Sequence, residues 1–320
     1  MGIPDFDGVK VLVTGGAGFI GSHLVDALVE RGAAVRILDN LATGLESNLD
    51  HLGDTVDLLR GDLRDLDTCH RACEGVEVVF HQGALGSVPR SMKDPATSIA
   101  VNVGGTSNLF TAARDADVRR IVYASSSSVY GDHPGLPKRE GEEGQVLSPY
   151  AMTKRMDEEL CDIFTRAYGM EIVGLRYFNV YGPRQRPDGP YAAVIPRFFD
   201  AYREGRAPVI FGDGEQSRDF TFVRDAVRAN LLGSGASKGA CGRSYNVAAG
   251  ARSTLNELVG IVQELMGGGP DPEYADPRAG DVRHSLADLS QIKEGLGYGP
   301  EYDLRAGLEI TADSYRSGSG

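Results

Sequence analysis

Apolar residues fall into short β-branched runs separated by longer stretches in which every third or fourth position is apolar. Short runs bounded by Gly, Asp and Asn suit strands buried on both faces, and the longer stretches suit amphipathic helices. The pattern predicts strands over 9–14, 34–38, 56–60, 78–81 and 120–125, and a helix over 18–31. Their alternation predicts βαβ units and a parallel sheet covered by helices on both faces, an α/β chain. From about Asn179 the rhythm breaks. Loops over 181–190, 212–218 and 267–280 are rich in Gly, Pro and Arg, which predicts a smaller C-terminal α/β region built to grip a ligand. A helix opening near Val223 and a strand over 244–247 are expected to return to the sheet. The expected division is 1–178 with 223–248 for the sheet region, and 179–222 with 249–320 for the smaller one.

Gly15, Gly18 and Gly21 follow the first strand directly and open the first helix, in the order G-x-x-G-x-x-G. Glycines there allow a tight turn and close backbone approach, and a helix N-terminus offers free N–H groups to a pyrophosphate. The second strand ends at Asp39, where a carboxylate can accept from ribose hydroxyls and would repel the extra phosphate of NADP. The fold expected is therefore a Rossmann-like doubly wound parallel sheet, with NAD as its cofactor. Asp62, after the third strand, is a further candidate to face the adenine, or else a helix cap.

Composition removes several function classes. Of 320 residues, 41% are hydrophobic and 24% charged, which is ordinary for a globular enzyme-sized chain. The net charge is −12, and no cluster of Lys and Arg forms the basic stripe of a nucleic-acid binder. No apolar run approaches the roughly 18 residues of a membrane span, and no signal-peptide layout opens the chain. Cys69, Cys73, Cys161 and Cys241 show neither C-x-x-C pairing nor metal-like spacing with His, so reduced thiols and a cytoplasmic location are expected, without a metal.

Tyr150 and Lys154 stand four residues apart, hence on one face of a helix that Ser148-Pro149 would start. A phenol with an ordinary pKa of about 10 is a poor base at neutral pH, but a neighbouring ammonium stabilises its phenolate. Upstream, Ser125, Ser126, Ser127 and Ser128 follow a strand at the edge where ligands bind open parallel sheets. Taken singly, a Tyr-x-x-x-Lys spacing or a serine loop is usually structural.

Taken together, the glycine turn, the serine run and Tyr-x-x-x-Lys resemble the extended short-chain dehydrogenase/reductase family over essentially the whole chain, and specifically its nucleotide-sugar epimerases. The resemblance implies that Ser126, Tyr150 and Lys154 are catalytic. It completes the cofactor set with Phe19, Ile20, Asn40, Leu63, Gln82, Ala84 and Tyr177, beside Gly15, Gly18, Gly21, Asp39, Asp62, Tyr150 and Lys154. It further implies that Tyr150 takes the proton from O4 while the C4 hydride moves to NAD, and that the 4-keto sugar turns over and is reduced on its other face. Related dehydratases and decarboxylases carry acids near Ser127 and Ser128. Serines there leave an elimination without its general acid, so epimerisation is the simplest reaction.

The same resemblance assigns Arg218 and Arg278 to the diphosphate of a UDP-sugar, where guanidinium groups recognise phosphate bidentately. It assigns Asn179 to the substrate and Ala193, Val194 and Phe211 to the uracil, and it adds Ser87, Ser127 and Ser128 to the substrate set. Segments 87–91, 131–138 and 281–288 are similar to bacterial UDP-N-acetylglucosamine 4-epimerases of polysaccharide clusters. Glucose-restricted relatives carry tyrosine at the position of Ser285, and a serine leaves room for an N-acetyl group. UDP-GlcNAc and UDP-GalNAc are thus the expected pair, with UDP-glucose and UDP-galactose as further candidates. Arg186 departs from that subgroup and keeps UDP-glucuronate, or an N-acetylated uronate, as the alternative. A dehydratase, a reductase using NADPH, and a regulator that binds dinucleotide without turnover complete the alternatives. The resemblance also implies a homodimer through a four-helix bundle formed by 101–113 and 150–168.

Overall fold

The computed structural model describes residues 2–187, 193–277 and 283–316. Its centre is a seven-stranded sheet in which every neighbouring pair is parallel. The strands are β1 (Lys10–Thr14), β2 (Ala34–Asp39), β3 (Val56–Arg60), β4 (Val78–His81), β5 (Arg120–Ser126) and β6 (Ile172–Tyr177). Between β6 and the last strand of this sheet come four short ones, β7 (Val180–Tyr181), β8 (Val209–Phe211), β9 (Ser217–Arg218) and β10 (Thr221–Phe222). β11 (Arg243–Val247) then completes the sheet by pairing with β6, and the order across it is β3-β2-β1-β4-β5-β6-β11. This is the doubly wound α/β architecture expected from the alternation of runs.

Side-chain alternation along the strands splits the core into two layers. Val11 and Val13 pack on one face with Leu24, Val25 and Leu28 of α1 (Phe19–Val29), and Leu12 packs on the other. That other face is covered by α2 (Leu66–Cys73), then by α5 (Gly105–Asp115) and α6 (Pro149–Tyr168). The two short helices α3 (Val88–Lys93) and α4 (Pro95–Ile99) precede α5. The predicted helix 101–113 is not uniform. Residues Ala100–Gly104 form a wider π turn before α5 begins, which turns Asn102 inward.

A second core joins α7 (Val194–Arg203), α9 (Leu255–Leu265) and α11 (Leu304–Arg316), with Phe198, Phe199, Leu258, Val262 and Leu308 at its centre. Short pairings frame it: β10 with β7, β12 (Ser253–Thr254) with β9, and β13 (Glu273–Ala275) with β8. α8 (Val223–Ser234) leaves this region and packs on α1, and α10 (Ser290–Leu296) lies against β11. Among the described residues no helix is long and apolar enough to cross a membrane.

Candidate active site

The C-terminal ends of the parallel strands converge on one cavity of about 1210 Å³. A crevice forms in such sheets where the strand order reverses, here between β1 and β4. Gly15 follows β1, Asp39 closes β2, Asp62 follows β3, Gln82 follows β4, Ser126 closes β5 and Tyr177 closes β6, and all six line the cavity.

The glycine turn brings backbone against backbone. Gly15 has φ +66°, and a Cβ on it would stand 2.7 Å from the backbone of Gly83. A Cβ on Gly21 would stand 2.1 Å from the Gly15 carbonyl oxygen. Helix α1 starts behind Gly18 with no side chain capping its N–H groups and no acid in its first turn. Gly18, Phe19, Ile20 and Gly21 line the cavity, so the free amides and the positive end of the helix dipole face it. That is the donor set a dinucleotide's diphosphate requires.

Two carboxylates stand by this turn. Buried Asp39 accepts from Ala17 N through Oδ2 at 3.0 Å and from Leu41 N through Oδ1 at 2.8 Å. It thereby ties the glycine turn to the end of β2 and retains lone pairs for ligand hydroxyls. Asp62 is held in a fork by Arg64 and accepts from Asn40 Nδ2 at 2.9 Å. The Arg64 guanidinium keeps the Asp62 carboxyl well below the usual carboxylate range.

The opposite part of the cavity carries proton-transfer groups. Ser148 Oγ accepts from Ala151 N at 3.1 Å and Pro149 takes the first position of α6, which puts Tyr150 in the first turn. The Tyr150 amide donates to buried Ser91 Oγ at 3.0 Å. One turn later Lys154, 3% exposed, donates through Nζ to Ala124 O at 2.9 Å and to Asp157 Oδ2 at 3.1 Å. Burial pulls the Lys154 pKa down, but Asp157, Tyr150 and Glu158 outweigh it and hold the ammonium above its ordinary value. Ser126 Oγ accepts from Ser128 N at 3.2 Å, so its own proton is left to donate elsewhere. Tyr177 closes a ring of three hydrogen bonds. Its hydroxyl donates to Gln82 Oε1 at 3.0 Å and accepts from Asn230 Nδ2 at 2.7 Å, and Gln82 Nε2 donates to Asn230 Oδ1 at 2.9 Å. Burial pushes the Tyr177 phenol up to about 12, so it stays neutral.

The structure thus brings to one cavity all the residues expected in a dinucleotide site, Asn40, Leu63 and Ala84 included, together with Ser126, Ser127 and Asn179. A second cavity of about 260 Å³ adjoins it, and Asn179, Val180 and Gln185 line both. Ala193, Val194, Phe211 and Arg218 line the second. Asn179 sits at the junction with φ +36°, a conformation asparagine tolerates better than most residues, and its Nδ2 donates to Asp219 O at 2.9 Å.

Other expected residues stand apart from both cavities. Ser87 caps α3, accepting from Arg90 N at 3.2 Å. The Ser128 hydroxyl is buried without a hydrogen-bond partner among the described residues. Arg186 is exposed. Ser285 is half-buried beside β9, its amide donating to Ser217 O at 3.0 Å. Arg278 lies outside the described residues.

Sequence reasoning missed Asn102, Arg90, Lys93 and Asp157. Asn102 Oδ1 accepts from Leu85 N at 2.8 Å and its Nδ2 donates to Thr153 Oγ1 at 3.0 Å, which fixes the loop after β4 against α6. An asparagine set directly between Val101 and Val103 was its available signal. Arg90 and Lys93 add positive charge to the cavity wall, and nothing in their spacing announces it.

The model of the NAD dependent epimerase/dehydratase family matches residues 11–248. A curated UDP-glucose 4-epimerase from Mycolicibacterium smegmatis is 38% identical over 315 residues, covering 97% of this chain and 100% of its own. Among solved structures, a UDP-N-acetylglucosamine 4-epimerase from Methanobrevibacter ruminantium, in complex with UDP-N-acetylmuramic acid, superposes with TM-score 0.93. It is 39% identical, and the match covers 98% of this chain and 99% of that one. A variant of the UDP-glucuronic acid 4-epimerase from Bacillus cereus, with UDP-4-deoxy-4-fluoro-glucuronic acid and NAD bound, superposes with TM-score 0.88. It is 30% identical, and the match covers 97% of this chain and 99% of that one.

Proposed function

This chain belongs to the NAD dependent epimerase/dehydratase family, and from that premise we propose that it is a UDP-sugar 4-epimerase with tightly bound NAD, acting by preference on UDP-GlcNAc and UDP-GalNAc. One observation carries the reading. A single cavity holds an uncapped helix start between glycines, two carboxylates, and Ser126, Tyr150 and Lys154, and it opens at Asn179 onto a second cavity edged by Arg218. The first cavity suits a dinucleotide along its length, and the second suits a nucleotide whose sugar reaches back to Tyr150. The relatives described above act on UDP-linked sugars by their names, which supports the substrate class.

Held at the glycine turn and by Asp39, NAD would supply the acceptor and donor for the C4 hydride of the sugar. The chain supplies the proton chemistry. Tyr150 removes the proton from O4 and later returns it, while Ser126, with its own proton free, donates to the same oxygen. Lys154 places a buried positive charge in the cavity that Tyr150 lines, where it attracts the negative charge that develops on oxygen during proton transfer. Ser127 and Ser128 offer no carboxyl to protonate a leaving hydroxyl, which supports epimerisation over elimination.

For the N-acetylated pair the support is Ser285, a small residue held against β9 next to Arg218. UDP-glucuronate, or an N-acetylated uronate, is the second reading. It is favoured by Arg186, whose neighbour Gln185 lines both cavities. The reading includes a homodimer. Met152, Met156 and Ile163 leave one side of α6 apolar and exposed, with Met92 and Ile99 exposed on the preceding helices.

The test is to incubate the protein separately with UDP-glucose, UDP-GlcNAc and UDP-GlcA and to separate the C4 epimers. Interconversion fastest with UDP-GlcNAc is expected, and inactivity on all three would overturn the proposal.

A further inference from the structure

Asp157 lies three residues beyond Lys154 on α6 and is 0% exposed. Its Oδ2 receives Lys154 Nζ at 3.1 Å, and the two side chains are 1% and 4% exposed. A fully desolvated ammonium without a counter-charge sheds its proton, so the partner of Lys154 decides whether it is a cation at all. Tyr150 and Glu158 add to that effect through space, but neither makes an ion pair with Lys154 among the described residues, and the other groups around it are neutral. From β4, His81 is held between Thr14 Oγ1 at 2.7 Å and Thr106 Oγ1 at 3.0 Å, and burial pushes it down to about 3, so it is uncharged. From β5, Tyr123 is pushed up by burial and keeps its proton, and burial does the same to the Cys161 thiol of α6. Glu158 is committed to Arg176 through two hydrogen bonds of 2.8 Å. Tyr150, in the first turn of α6, lines the cavity with Lys154. Among the described residues, Asp157 is the carboxylate in contact with Lys154.

Geometry adds a second role. An ammonium has three protons. Lys154 uses one on Ala124 O and one on Asp157 Oδ2, from β5 and α6 respectively, and these two fixed bonds set the direction of the third. Lys154 lines the cavity, so the third is available to whatever occupies it.

We propose that Asp157 is a positioning residue, which keeps Lys154 charged and aimed into the cavity. The proposal rests on the reading of Tyr150 and Lys154 as the proton-transfer pair, and it adds the residue that sets the pH range over which that pair works.

The experiment compares the unsubstituted protein with Asp157→Asn, which preserves shape and removes charge. Two quantities are followed against pH, kcat for the UDP-sugar and the affinity for NAD. In the unsubstituted protein both are expected to stay level up to about pH 10, the ordinary lysine range. In Asp157→Asn both should fall with a common midpoint at least about one pH unit lower, with NAD affinity down about tenfold above it. A variant slowed by one factor at every pH, with NAD affinity independent of pH, would mean that Asp157 serves folding only, and the proposal would be wrong. Should Asp157→Asn not fold, Asp157→Ser repeats the test. The unsubstituted protein decides by itself as well, because an NAD affinity that falls with a midpoint below about pH 9 refutes the role. If no UDP-sugar is epimerised but NAD affinity follows the expected pH dependence, the functional reading fails and this inference stands.

Discussion

Arg176 and Glu158 meet in a fork of two parallel hydrogen bonds, each 2.8 Å long, with side chains only 8% and 11% exposed. Glu158 also accepts from Ser125 Oγ at 2.6 Å, and Arg176 also reaches the Tyr130 hydroxyl at 3.0 Å. The pair therefore ties α6 to the end of β6 and to the serine loop after β5. Glu158→Gln leaves the buried guanidinium with Glu143 as its one carboxylate among the described residues and should cost about 1–3 kcal/mol in denaturant unfolding. A loss under about 1 kcal/mol would show that Glu143, the other carboxylate on Arg176, carries the network alone.

The glycine turn leaves no room for a methyl group at Gly21. Gly21→Ala forces Cβ against the Gly15 carbonyl oxygen, and backbone on this side cannot rotate away as a side chain would. We expect a stability loss of about 1–3 kcal/mol together with weaker NAD binding, read by thermal unfolding and by titration calorimetry. Unchanged NAD affinity would separate the turn from the cofactor.

Asp219 is wholly buried and accepts from Ala249 N at 2.9 Å and from Gly250 N and Ala287 N, each at 3.2 Å. Burial raises its carboxyl from the ordinary 3.8 to about 6, the three amides opposing only in part. Between those pH values the folded protein holds a proton that the unfolded chain has released, so this group's contribution to stability falls as pH rises. The loss amounts to at most about 3 kcal/mol. Asp219→Asn should abolish it. Unfolding free energies taken between about pH 4 and 7 should therefore improve for the variant, relative to the unsubstituted protein, as pH increases. A parallel pair of curves would contradict the assignment.

If Ser285 makes room for an N-acetyl group, Ser285→Tyr should reduce UDP-GlcNAc turnover far more than UDP-glucose turnover. A difference of at least about tenfold, or about 1.4 kcal/mol in kcat/KM, is expected. Equal losses on the two sugars would remove Ser285 as the determinant.

The apolar side of α6 gives a test of assembly. Met156→Arg places a charge among Met152, Ile163 and the exposed apolar residues beside them and should convert a dimer to monomer in sedimentation velocity. A native sedimentation profile unchanged by the substitution would place the contact elsewhere.

Local chemistry made much of this molecule legible in advance. Buried parallel strands have to be apolar throughout, so the runs that became β1 to β5 stood out, whereas Ile172–Tyr177, which became β6, was not singled out. The turn at Gly15, Gly18 and Gly21 was visible because tight backbone approach admits no other residue, and Tyr150 and Lys154 because helical spacing stacks them. What escaped depends on contacts distant in sequence. Asp157 read only as a good continuation of a helix, since its partner's burial is decided by β4, β5 and α5. Asn102 gave no sign of the π turn at Ala100–Gly104, which widens the backbone so that one amide can reach both Leu85 and Thr153. Ser285 sits where it does because β9 comes to it through Ser217.

The pairing of β11 with β6 bears on how the chain folds. β6 ends at Tyr177 and β11 begins at Arg243, so joining them closes a loop of some 65 residues. For a flexible loop the length-dependent part of that cost is about 4 kcal/mol, incurred before any contact offsets it. The edge of the sheet and α8 are therefore expected to mature late, and a hydrogen-exchange pulse during refolding should protect β1 and β2 before β11. Asn230, which closes the ring on Tyr177 and Gln82, rides on α8. A nascent chain that has completed its glycine turn still has Tyr177 unanchored, and competence to hold ligand arrives only after residues far down the chain have folded back.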